Sequence, residues 1–211
     1  MSGEPDWLTW TRELQAIAQT GLTFARDPYD RERYEMLRDL ASRIMAQHTT
    51  GITAAAIADL FSREQGYATP KIDVRTAAFD AEGRMLMVRE VQDAGRWTLP
   101  GGWADVNLTP AENAAKEVVE ESGFEVRISK LAAVWDRTRQ GHTPAVFACA
   151  KLFFVAEITG GAPAASLETS EVGFFARGDM PADLSIGRVL PNQLARMFAH
   201  HDDPSLPTDW E

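Results

Sequence analysis

A helix that carries its own start and stop signals lies in the middle of this 211-residue chain, and it constrains the surrounding fold more than any other segment. Thr109 and Glu112 have the spacing of a capping box, and Pro110 takes the first helical position, where its missing N–H costs nothing. Gly123 follows where a helix commonly ends in a left-handed residue. Between these bounds Glu117, Glu120 and Glu121 stand at i, i+3 and i+4, which predicts three carboxylates on one face. Ala111, Ala115 and Val118 or Val119 are left to pack on a sheet. Just upstream, Gly101-Gly102 lets backbone approach the acidic face closely.

Either side of this helix the hydrophobic period differs. From residue 4 to about 65 it is helical: Trp7, Trp10, Leu14, Ile17, Ala18 and Gly21 recur at three and four. A second helix from about Asp30 to Gln47 carries Tyr34, Leu37, Leu40, Ala41, Ile44 and Met45, and Thr53 caps a third with Ile57, Leu60 and Phe61. From Lys71 strand-like runs take over, over 71–79, 85–88, 129–135, 146–158 and about 172–175. A last helix is predicted over 190–200, and the polar tail 202–211, with two prolines, reads as loose. The expected class is α+β, with an all-helical N-terminal domain over 1–68 and a sheet domain over 69–211. Some sixty residues in three helices make a marginal core. These helices are therefore expected to dock on the rest of the chain or on a second copy, and Trp7 and Trp10 suit a homodimer.

Charge narrows the partners. The net charge of −10 repels a phosphate backbone, and residues 1–70 hold 7 Lys or Arg against 10 Asp or Glu, so nucleic acid is not an expected partner. A small anionic substrate is compatible if a metal ion supplies local positive charge. The single cysteine, Cys149, sits in an apolar run and reads as a core thiol. No secretory pattern and no run of about 18 apolar residues is present, which predicts a soluble, cytoplasmic chain without a membrane partner.

Three like charges so close repel by roughly 0.2–0.5 kcal/mol per neighbouring pair on an exposed helix. A solvated acidic face tolerates that, and this simpler reading stays open. A divalent cation reverses the sign, and oxygen-only donors suit Mg²⁺, or Mn²⁺ in its place.

Residues 99–124 resemble the Nudix box, G-x5-E-x7-R-E-U-x-E-E-x-G-U, where U is a bulky apolar residue. Aligned from Gly102, Glu117, Val118, Glu120, Glu121, Gly123 and Phe124 fall at their expected places. Leu108 stands for the first glutamate and Lys116 for the arginine, which loses the forked geometry of a guanidinium. The resemblance implies a Nudix α/β/α sandwich with a mixed sheet and hydrolysis of a diphosphate linkage. It also implies Glu117, Glu120 and Glu121 as metal ligands, with a Gly101 or Gly102 carbonyl completing the shell. The general base would be a box glutamate or a later loop acid, for which Glu168 and Glu171 are candidates. The helical extension, with Trp-Leu-Thr-Trp, looks like that of a Nudix group including CDP-choline pyrophosphatase and proteins labelled ADP-ribose pyrophosphatase. Trp135-Asp136-Arg137 and Lys151-Leu152-Phe153-Phe154 are similar to the same group.

For substrate, Gly102 and the flanking Trp103 or Trp97 are candidates to receive a base, with core packing the plainer role for the tryptophans. Arg137, Arg139 and His142 follow a strand and could meet phosphate or base edges, with solvation the alternative for each. The expected partner is a small nucleotide, CDP-choline-like or ADP-ribose-like, and RNA ends are a secondary expectation. The rival from another class is a nucleotide-sensing regulator whose helices bind a partner or DNA. The acidic helices and the complete glutamate set weigh against it.

Overall fold

The computed structural model describes residues 5–143 and 145–211, which fall into two compact units. One runs up to Pro70 and includes residues 145–148; the other comprises Lys71–Thr143 and Cys149–Glu211. The expected first helical residue, Glu4, lies outside the described residues.

The first unit holds α1 (Asp6–Phe24), α2 (Pro28–His48) and α3 (Ala54–Ser62). Asp27 starts α2 by accepting from the N–H groups of Tyr29 and Asp30, with Pro28 at the first position. Thr53 caps α3 as the sequence predicts, accepting from Ala56 N–H at 3.2 Å. Leu8, Ala41, Met45, Ile57 and Phe61 form the core. The buried stripe of α1 is Leu8, Thr11, Gln15 and Ala18; of the expected face Ala18 is buried, Trp7 and Leu14 pack partly buried against the core, and Trp10 and Ile17 stay exposed. Two polar residues enter because each finds a partner: the Thr11 hydroxyl donates to the Trp7 carbonyl at 2.6 Å, and the Gln15 amide to Phe61 at 3.4 Å. Trp10, Ile17 and Phe24, seven apart, are 60%, 47% and 64% exposed.

The second unit is one mixed sheet between two helices, as the Nudix resemblance implies. Its strands are β1 (Lys71–Phe79), β2 (Met85–Glu90), β3 (Arg96–Thr98), β4 (Phe124–Asp136), β5 (Cys149–Gly161), β6 (Thr169–Phe175) and β7 (Asp209–Trp210). They run β3-β2-β1-β5-β4-β7, with β6 on β2. Central β1 is parallel to β5 and antiparallel to β2. Helix α4 (Pro110–Ser122) covers one face: Ala114 packs with Val74 and Phe154, and Val118 with Ala78 and Ala156. Helix α5 (Pro191–Asp202) covers the other through Leu194, Met197 and Phe198 against Ala77, Phe79 and Phe153. Burying a side chain such as Leu194 contributes about 1.5–3 kcal/mol.

β3 is not expected from the sequence, β2 and β6 are longer than expected, and two further boundaries differ for physical reasons. β5 begins at Cys149, not 146, because Val146 packs in the helical core. β4 begins at Phe124, immediately after Gly123 turns the chain with φ +77°; its first half alternates charged and partly buried residues, which hides it from a hydrophobic reading.

The tail is not loose. Asp209 and Trp210 form β7, parallel to Ala133 and Val134 of β4. Lys130 donates to the Pro204 and Leu206 carbonyls, and the Thr208 hydroxyl donates to Leu131 at 2.8 Å. Arg196 Nη2 donates to Asp209 at 2.7 Å, and the buried His200 Nε2 lies 3.2 Å from the same carboxylate. Polar composition conceals this because every contact is itself polar. Asp209→Ala leaves His200 without its partner and is expected to destabilise the protein by about 1–3 kcal/mol, a melting shift of roughly 3–10 °C. Calorimetry checks it, and a shift under about 1 °C would mean that the tail is not held through Asp209.

Candidate active site

The glycine loop is laid along β1 by backbone bonds. Thr76 N–H donates to Pro100 and Val74 N–H to Gly102, both at 2.9 Å. Gly101 has φ +145°, and a Cβ there would lie 2.0 Å from the Val74 carbonyl oxygen. Its N–H donates to Glu121 Oε2 at 2.9 Å, while a Cβ on Gly102 would lie 3.3 Å from both carboxylate oxygens of Glu117. The glycines therefore bring backbone against two of the box glutamates. Of the two glycine carbonyls, that of Gly102 accepts from Val74 N–H.

Helix α4 is turned relative to the face read from sequence. Ala114 and Val118 face the sheet, and Val119 is 46% exposed. Glu121 is consequently buried, Glu117 half-buried and Glu120 exposed, rather than three carboxylates presented alike. Thr76 Oγ anchors the helix by donating to the Ala114 carbonyl at 3.1 Å, and the capping box is formed at Thr109 and Glu112. Lys116 bonds Glu120 at 2.6 Å and lies 3.3 Å from Asp105.

Among the described residues, no three His, Cys, Asp or Glu side chains are gathered at metal-holding distance. Glu120 accepts from Lys116 and Glu121 from the Gly101 N–H. The donor chemistry nevertheless fits a hard divalent ion, since Glu117 and Glu120 are i, i+3 neighbours beside close-approach backbone. Burial pushes the Glu121 carboxyl up to about 7, with Arg75 pulling it back. Burial also raises Glu117, against the pull of Lys116 and with Glu120 and Glu168 adding to the rise. Carboxylates held up in this way are those a cation stabilises most.

Beneath the loop lies a buried cluster that the sequence reading passed over: Asp73, Arg75 and Lys151. Arg75 Nε donates to Asp73 at 2.8 Å and Nη1 to the Leu99 carbonyl at 3.3 Å, and Lys151 pairs with Asp73 from β5. Burial pushes Asp73 up, but Arg75 and Lys151 more than offset this and hold it below the usual carboxylate range. Burial lowers Lys151 to about 8, with Asp73 opposing. The available signal was two charges at alternate positions in an apolar strand, with a lysine opening another.

The remaining candidates separate. Glu168 precedes Thr169, whose hydroxyl donates to the Glu121 carbonyl at 2.5 Å, so its loop adjoins the box helix. Glu171 instead bonds Arg89 at 3.2 Å. Trp103 is 56% exposed beside Gly102, whereas Trp97 is in the core, edge-on to Phe175. Arg137 donates to the carbonyls of Thr143 and Gly187, and Arg139 lies 3.5 Å from Glu211. His142 is buried with both ring nitrogens engaged: Nδ1 is 2.8 Å from the Ile186 carbonyl and Nε2 3.1 Å from Gln193. It is therefore not open to a phosphate, and core packing of the 137–143 loop outweighed its apparent exposure. Burial lowers His142 to about 4, below its ordinary 6.5. The unfolded chain then binds the extra proton, so stability present above about 6.5 is lost as pH falls toward about 4. His142→Gln should flatten that part of the melting-temperature profile, and a profile unchanged from wild type would refute the assignment.

Comparison with known proteins adds the following. The family model described as NUDIX domain matches residues 69–192, and one described as UDP-X-like, N-terminal oligomerisation domain matches residues 5–61. The Bacillus subtilis (strain 168) protein named "Putative ADP-ribose pyrophosphatase YjhB" is 42% identical over 202 residues, spanning 96% of this chain and 95% of its own. A solved UDP-X diphosphatase is 32% identical, covers 98% of both chains and has a TM-score of 0.61. An ADP-ribose pyrophosphatase from Streptococcus suis is 33% identical, covers 68% of this chain and all of its own, and has a TM-score of 0.61.

Proposed function

Because the chain belongs to the Nudix hydrolases and is a pyrophosphohydrolase, we propose that it uses Mg²⁺, or Mn²⁺, to cleave a nucleoside diphosphate joined to a second moiety. The products are a nucleoside monophosphate and a phosphorylated second product. ADP-ribose-like and CDP-choline-like compounds head the substrate class, and the UDP-X diphosphatase likeness adds UDP-linked compounds. The observation that carries the reading is the approach of Gly101 and Gly102 to Glu121 and Glu117 on one capped helix.

On this reading Glu117, Glu120 and Glu121 hold the metal, with the Gly101 carbonyl as a further oxygen donor. The bound ion supplies charge neutralisation and orientation of the diphosphate. Glu121 is fixed by the Gly101 N–H, while exposed Glu120 is free to leave Lys116. Glu168 is favoured over Glu171 as a loop base, since its charge acts on Glu117. Gly102 and Trp103 offer a flat surface for the base, and Arg137 and Arg139 remain candidates for the outer phosphate. The helical unit joins two copies into a homodimer through the Trp10, Ile17 and Phe24 stripe, in keeping with the oligomerisation model it matches.

The test is phosphatase-coupled hydrolysis of ADP-ribose, CDP-choline, a UDP-sugar, NADH, a diadenosine polyphosphate and a nucleoside triphosphate, with Mg²⁺, Mn²⁺ or EDTA. Metal-dependent turnover of one linked diphosphate supports the reading. No turnover of any by the folded protein moves the weight to a nucleotide sensor.

A further inference from the structure

Lysine at 116 leaves the box helix without the forked cation that the Nudix pattern places there, and Lys116 is committed to Glu120 and Asp105. A guanidinium is present instead on the strand beneath. Resting on the hydrolase reading above, we propose that Arg75 is a positioning residue for Glu121, supplying from β1 the fixed planar cation that α4 lacks.

Charge closure is the first support. Asp73 lies between Arg75 and Lys151, so this buried trio carries one excess positive charge. Glu121, itself buried, brings the set to neutrality when ionised. The excess positive charge of the trio and the Glu121 carboxyl are thus both buried. Arg75 is the cation whose field acts on the Glu121 carboxyl.

Connectivity is the second. Arg75 holds the Leu99 carbonyl, and two residues on the Gly101 N–H holds Glu121. One guanidinium thus fixes both the start of the loop and, through it, the carboxylate. A lysine at 75 keeps the charge but has no fork with which to bond Asp73 and Leu99 in fixed geometry. Arg75 is 5% exposed and bonds Asp73 and the Leu99 carbonyl, so it acts through its neighbours rather than on the reacting atoms.

The experiment compares wild type, Arg75→Met and Arg75→Lys as full-length proteins. It measures Mn²⁺ affinity by paramagnetic resonance titration, kcat and KM separately, and melting temperature in EDTA. Arg75→Met should weaken Mn²⁺ binding and lower kcat, each by about 10–100-fold, with KM little changed. Arg75→Lys should recover part of both losses. A merely structural role would lower the melting temperature while folded molecules kept wild-type Mn²⁺ affinity, and that result overturns the proposal. If Arg75→Met does not fold, the lysine variant decides: intermediate affinity and kcat support the assignment, and wild-type values overturn it. Wild type that binds no Mn²⁺ and hydrolyses nothing removes the hydrolase reading and this inference together. Wild type active in both, with unchanged variants, removes this inference alone.

Discussion

On the metal-ligand role proposed for it, Glu120→Gln is expected to lower kcat by about 1,000-fold while leaving the fold intact. The size follows from a metal ligand's share of transition-state stabilisation, several kcal/mol, at about 1.4 kcal/mol per factor of ten. The small structural effect follows from the position: Glu120 is exposed, and its bond to Lys116 is a surface i, i+4 pair worth about 0.3–0.5 kcal/mol. Melting should shift by roughly 1–2 °C at most. Steady-state kinetics on the best substrate of the panel, with calorimetry of the same preparation, reads both. Retention of more than about a tenth of wild-type kcat would remove Glu120 from the ligand set. Glu117→Gln is the companion case. Burial already disfavours the Glu117 charge, so its loss without metal should leave stability unchanged or slightly raised while activity falls.

Gly101→Ala should damage fold and activity together. Its Cβ would lie 2.0 Å from the Val74 carbonyl oxygen and 2.9 Å from Arg75 Cα, both backbone of the central strand, where nothing can rotate aside. A φ of +145° adds strain of about 1–3 kcal/mol, and the overlap a further 1–3. The Gly101 N–H then leaves Glu121, and kcat falls by at least about 100-fold. Gly102→Ala separates the two effects, because its Cβ meets only the end of the Glu117 side chain, at 3.3 Å. Melting should barely change there while activity drops. Equal melting losses in the two variants would contradict the described loop.

Features encoded within a few residues were legible in the sequence. The Thr109–Glu112 cap, Pro110, Gly123 and the Thr53 cap all depend on neighbours three or four positions away, and each is formed. The α1 face was misread because Thr11 and Gln15 are buried with partners, one of them 46 residues distant. The turn of α4 that buries Glu121 is set by Ala114 and Val118 against β1 and β5, which no local spacing reveals. Asp73, Arg75 and Lys151 escaped for the same reason: each reads singly as an ordinary surface charge until β1 and β5 are paired. The Asp209–His200 contact likewise exists only once the chain has returned to β4.

The parallel pairing of β1 with β5 also has a consequence for the nascent polypeptide. Lys151 follows Asp73 by 78 residues, so at 5–20 residues per second the ribosome takes roughly 4–16 s to deliver the partner. During that interval one long edge of an apolar strand is open, and Asp73 and Arg75 lack the third member of their cluster. Such an edge is a template for wrong pairing. The yield of active protein in a cell is therefore expected to respond to translation speed and chaperone access across the span from β1 to β5, a vulnerability that the stability of the finished fold does not report.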